Sequence, residues 1–215
     1  MNGKILNITN GDVFNQYFIS NCGIEAIPFR EAMMDGETVI DIFSDEFIKL
    51  RASVNNVSVE EYKSNMLVYN YLQNNDYDEL CLWFGKDTFC QMNLLTLLAF
   101  LEQINYTGKI ALNYIDDETF EKLESTIPVE LGIYRNLYEN IIVSKHFSKE
   151  VGVLDLHAIE LYFDYHSENG ALSKIVRDNS NREKMDILII LLENSKEYGL
   201  SDIQAKKLIE RNKKL

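Results

Sequence analysis

The chain has 215 residues, 46% of them hydrophobic, which is enough apolar mass for a packed core and excludes general disorder. Its formal net charge of −13 repels phosphate backbones, which argues against broad nucleic-acid binding. Three cysteines (Cys22, Cys81, Cys90) without CxxC spacing exclude a disulfide framework and a zinc knuckle, and the longest apolar run, Leu94 to Leu101, is far short of the ~20 residues of a membrane span.

The first eleven residues read as a strand and a turn rather than a basic-then-apolar leader, so the expectation is a reduced, soluble, cytoplasmic protein with no membrane partner. KILNITNGD (4–12) is a short extended run ended by Asn-Gly-Asp, and VFNQYFIS continues with helical spacing, Asp12 standing where an N-cap belongs. A second strand is predicted near Ile24 to Phe29, followed by a turn at Asp35-Gly36-Glu37. Residues 38–53 and 59–74 read as helices, the latter opening on a capping-box spacing at Ser58 and Glu61. DELCLWFG is a third strand, Asp87 to Ile104 a helix, and GKIALNYI a fourth strand. DDETFEKLE reads as a short helix capped by Asp116 or Asp117.

Strand and helix alternate over residues 1–127, which predicts an α/β unit. Its core is an open, Rossmann-like, mostly parallel four-stranded sheet flanked by helices, in the order 2-1-3-4. From Pro128 to residue 215 the patterns are helical only: near 129–140, 149–167, 171–178, 182–196 and 201–212. These form a helical C-terminal subdomain, with MDILIILLE central to it because it is apolar nearly all round. Gly199 suits a left-handed turn, and Ser201 with Gln204 a second capping box.

Four blocks carry a family likeness: ITNGD after the first strand, PFREAMMDGE after the second, WFGKDTFCQMNLL after the third, and YGLSDIQAKKLI near the end. Together they resemble the DUF1835 family of domains of unknown function. The resemblance implies one α/β unit with a helical C-terminal part and implies no reaction. Members of that family often carry tryptophan where this chain has Phe29, and proline where it has Glu37.

Ligands of open parallel sheets bind beyond the carboxyl ends of the strands, where the strand order reverses. Order 2-1-3-4 puts that crevice between strands one and three, where Asn10-Gly11-Asp12 meets Phe84-Gly85-Lys86-Asp87. Both loops open into helices, whose free N–H groups face the crevice. The candidate catalytic residues are Asp12 and Asp87. The candidate ligand-binding residues are Asn10, Gly11, Arg30, Gly85, Lys86 and Gln91. Two carboxylates repel a phosphate unless a divalent cation, or Arg30 and Lys86, balances them. Neither loop is a GxGxxG or GxxxxGK[ST] phosphate fingerprint. The expectation is therefore a small anionic or nucleotide-like ligand, with metal-assisted hydrolysis or transfer as the reaction. A non-catalytic ligand-sensing or protein-interaction module is the alternative. As caps alone, Asp12 and Asp87 would each contribute ~1 kcal/mol to a helix.

Cys90 sits in a first helical turn, where the dipole lowers a thiol pKa, yet all three histidines (His146, His157, His166) lie in the helical half; a packed, inert cysteine is the simpler reading. His157, Glu160 and Asp164 share one helix face without a matching second helix, which reads as a solvated face. Of Trp83 and Phe84, one is expected in the core. The last two helices have helix-turn-helix spacing, with five basic residues between Ala205 and Leu215. A DNA-associated role through them is the least favoured alternative.

Overall fold

The computed structural model describes residues 3–74 and 77–213. Strands β1 (Ile5–Asn10), β2 (Ala26–Phe29), β3 (Glu79–Phe84) and β4 (Lys109–Tyr114) are parallel, and a two-residue β5 (Ile127–Pro128) runs antiparallel to β4. The order is β2-β1-β3-β4-β5. The expected order 2-1-3-4 is present, and the expected count of four strands becomes five. Two residues, one a proline that can pair only at an edge, carry no alternation by which β5 could be read.

Helix α1 (Asp12–Cys22) joins β1 to β2, and α2 (Asp45–Val54), α3 (Val59–Asn65) and α4 (Leu67–Asn74) join β2 to β3. Ser44 and Ser58 cap α2 and α3 by accepting from Phe47 N and Glu61 N. The helix predicted from residue 38 starts only at Asp45, because Phe43 takes a left-handed φ of 61°. The helix predicted over 59–74 breaks at Met66, with ψ of 38°, and Arg30 Nη1 donates to the Asn65 carbonyl at the break. DDETFEKLE forms no helix. Asp116 Oδ1 instead accepts from Glu118 N and Thr119 N, an Asx turn that competes with the helix, and Phe120 follows at φ 61°.

Leu80, Leu82 and Phe84 of β3 enter the main core, whereas Trp83 faces the other side, against Phe14 and Phe18 of α1. Trp83 Nε1 donates to Asn7 Oδ1. α5 (Thr88–Gln103) is buried on nearly every face. It packs between the sheet and α6 (Tyr134–Tyr138), which runs on as a π-helical turn, Glu139–Val143, and α7 (Leu156–His166). α8 (Ala171–Asp178), α9 (Lys184–Glu193), a 3-10 turn at Lys196–Tyr198 and α10 (Asp202–Lys213) follow in the described residues. One apolar cluster runs from Leu6 to Ile209 and takes in both halves, and the boundary expected at 127/128 falls inside β5.

Beyond β2 the interior is polar. Arg51 is 0% exposed; its guanidinium donates to Glu31 Oε2 and to the carbonyls of Ala32, Asp35 and Glu37. Tyr62 donates to the other Glu31 oxygen. Burial pushes the Glu31 carboxyl up, and Arg51 opposes that shift. Further along, Tyr165 donates to Asp35 Oδ1, His166 Nε2 meets the Met34 carbonyl, and Lys145 bonds to Tyr162. Two buried oxygens there, Asp35 Oδ2 and Tyr69 Oη, have no hydrogen-bond partner among the described residues.

Candidate functional site

Since β1 and β3 are neighbours, the crevice at the switch point exists as geometry. It is a cavity of ≈ 270 Å³ beyond the strand ends, lined by Asn10, Gly85, Asp87, Cys90, Asp117 and Gly199 with apolar side chains around them. Asp87 caps α5, its Oδ1 accepting from Cys90 N at 2.9 Å. Asp117 arrives from the turn after β4. One ligand atom each from Asp87, Cys90 and Asp117 lie within 4.8 Å of one another. Two glycines permit this crowding: a Cβ at Gly85 would collide with the Asp117 carboxylate, and one at Gly199 with that of Asp87.

Burial first, and then the charge of Asp87, push the Asp117 carboxyl up to about 7. Asp117 as a residue is exposed, but its carboxyl is the part pressed against Asp87 and Cys90. The solvent-exposed side of Asp117 screens part of that repulsion. The Cys90 thiol is likewise pushed well above its usual range, by burial and then by Asp87 and Asp117. This corrects the expectation that the helix dipole would lower it: two carboxylates and desolvation outweigh half a charge at the helix end. The thiol donates weakly to Asp117 Oδ1 at 3.8 Å and accepts from Asn10 Nδ2, as a neutral S–H does.

The other predicted residues divide. Asn10 and Gly85 line the cavity with Asp87. Gly11, not Asp12, is the N-cap of α1, with φ 77° and no side-chain cap bond, and its N–H is used by the Phe29 carbonyl. Asp12 pairs with Arg30 at 2.8 Å, and neither lines the cavity. Lys86 is drawn off by Glu124 at 2.8 Å and by the Tyr114 ring. Gln91 is fully buried; it donates to the Gly85 carbonyl and accepts from Asp155 N. It fastens the helical half to the crevice loop and makes no contact open to a ligand.

Sequence reasoning missed Asn93, which donates to Asn10 Oδ1 and the Glu31 carbonyl and accepts from Met33 N, so tying β1, β2 and α5 together. It also placed Asp117 only as a helix cap. The available signal was its position three residues past β4, beyond a strand end beside β3. Away from the crevice, Asp164 accepts from Ala171 N and Tyr198 Oη, a structural role rather than a solvated one. His157 faces Glu160 and Glu197. Gly199 takes φ 64° and Gln204 accepts from Ser201 N, as expected. In α10, Lys206 pairs with Asp202 and Arg211 donates to the Tyr165 carbonyl. No helix among the described residues is long and apolar enough to cross a membrane. No family model, curated protein or solved structure matches the chain.

Proposed function

We propose that the switch-point crevice is a small-ligand site in which Asp87 and Asp117 hold a divalent cation, and that the cation presents a phosphorylated or nucleotide-like ligand for hydrolysis or transfer. The convergence of Asp87, Asp117 and Cys90 in the crevice lining carries this reading. Among the described residues the cavity lining holds two carboxylates and no lysine, arginine or histidine. The nearby cations Arg30, Lys86 and Lys196 are each paired with a carboxylate. An anionic ligand therefore needs an added cation, and hard carboxylate oxygens suit magnesium or manganese. The cation would polarise the ligand and offset the repulsion between Asp87 and Asp117; Asn10 and the α5 N-terminus would orient it.

Binding without turnover is the second reading. It is favoured by the neutral Cys90 thiol and by the absence of a histidine from the described lining, which leave no nucleophile and base in place. The test of the site is a manganese titration followed by melting temperature. Wild type should be stabilised as the ion binds the folded state, and Asp117→Asn should lose that response. A wild type indifferent to manganese and magnesium removes the reading; bound ion with no release of phosphate from any phosphorylated compound favours the sensor.

A further inference from the structure

Beside the carboxyl pair the crevice is lined by aromatic rings. Phe14, Phe89 and Phe120 line it, with Val13 and Ile115, and they come from α1, α5 and the turn after β4. The Phe120 ring stands 5.4 Å from Phe14 and 4.8 Å from Tyr17, and Tyr17 is 40% exposed. Phe120 is held at φ 61°, a left-handed backbone that phenylalanine rarely takes. The turn that imposes it is closed by Phe120 N to the Asp116 carbonyl and Asp116 N to the Glu121 carbonyl, both at 2.9 Å. That same turn delivers Asp117. One short segment thus brings a carboxylate and an aromatic ring to a single cavity.

We propose that the ligand of the crevice carries a nucleobase, and that Phe120, with Phe14 beside it, is the residue that selects for the flat ring. The inference rests on the cation-assisted site described above and names its substrate class: a nucleoside phosphate rather than an aliphatic or sugar phosphate. Every base has a π-face that stacks on aromatic side chains. A cavity of ≈ 270 Å³ lies below the about 300–1,000 Å³ of pockets that enclose a drug-sized ligand. It holds one ring system, so the sugar and phosphate extend beyond the rings toward the carboxyl pair, where the cation would meet the phosphate. The uncharged base suits a lining without basic side chains.

The test is calorimetry on the full chain in manganese, with adenosine and cytidine monophosphates compared against ribose 5-phosphate. The nucleotides should bind about tenfold more tightly, or better, the usual scale of a stacked base. Phe120→Asn is the informative variant, since asparagine accepts the left-handed backbone and removes the ring. It should stay folded at some loss of melting temperature from the ring's contacts with Phe14 and Tyr17, bind manganese like wild type and lose the preference for nucleotides. If ribose 5-phosphate binds as tightly as the nucleotides, or manganese binds and no nucleotide does, the nucleobase is overturned while the metal site stands. If manganese itself fails to bind, the site and the inference fall together. A nucleotide preference that survives in Phe120→Asn overturns the assignment of Phe120.

Discussion

The crevice and the polar interior beyond β2 both crowd like charges. The crevice sets Asp87 against Asp117 with no basic side chain in its described lining. The interior gathers Arg51, Lys145, His166 and Arg211 around Glu31 and Asp35. There the cations are met by protein: Arg51 by Glu31 and three carbonyls, Arg211 by the Tyr165 carbonyl, Lys145 by Tyr162. Burial and neighbouring positive charge still depress His166 to about 4 and Lys145 to about 8. Repulsion answered from within marks a region that holds the fold. In the crevice no basic side chain of the described lining meets the carboxyl pair, and that is the gap the proposed cation would fill.

The largest effect should come from breaking the answered region. Arg51→Met leaves the Glu31 carboxyl in a fully buried site without its cation and removes donors from three carbonyls. Losing one partner of a buried pair costs about 3–5 kcal/mol, a large part of the ~5–15 kcal/mol of a typical domain. Urea unfolding at neutral pH should report it, and adding Glu31→Gln should recover part by removing the stranded charge. A loss of ~1 kcal/mol or less in the single variant would mean that the interior pair is not what holds this region.

His166 tests the same region more finely. Burial first, and Lys145 second, lower its pKa from 6.5 to about 4, against the opposing Met34 carbonyl. Below pH 6.5 the unfolded chain takes up a proton that the folded chain refuses until about pH 4. Stability must therefore fall as pH drops through that window and be recovered above it. The shift corresponds to about 3 kcal/mol. His166→Gln, measured across the same window, should flatten that part of the profile; a profile unchanged by the substitution contradicts a neutral buried imidazole.

How far the sequence reaches follows from the range of the interactions involved. Strands and helix caps are local, so β1, β3 and β4, Asp87 as a cap and the Ser58 cap were legible from residues within a turn of one another. Order 2-1-3-4 followed from parallel connection rules and placed the crevice correctly. What escaped depended on distant partners. In the sequence Arg30 and Lys86 stand as candidate balancing charges for the crevice, but Asp12 and Glu124 claim them across 18 and 38 positions. Gln91 looked like a ligand contact until Asp155, 64 positions away, took its carbonyl oxygen. DDETFEKLE was lost to a local competition: Asp116 can cap a helix or close an Asx turn, and composition does not choose between them.

The smallest expected effect belongs to the crevice and has the opposite sign to that of His166. Asp117 titrates near 7 when folded, against 3.8 for a free aspartate, through burial and the charge of Asp87. Between those values the folded chain holds a proton that the unfolded chain has released. Its contribution is therefore fully present below about pH 4 and is lost as pH rises through about 7. Because Asp117 is open to solvent, screening should keep the effect to about 1 kcal/mol or less. Asp87→Asn is the decisive variant. Asparagine caps α5 about as well as aspartate, so stability at low pH should be unchanged, while removal of the like charge lowers the Asp117 pKa and stabilises the protein near neutrality. Measured in a His166→Gln background, where the opposing slope is absent, the decline toward pH 7 should be visible in the parent and reduced by Asp87→Asn. An equal decline in both would show that burial alone sets the Asp117 proton, and that Asp87 and Asp117 do not act as a pair.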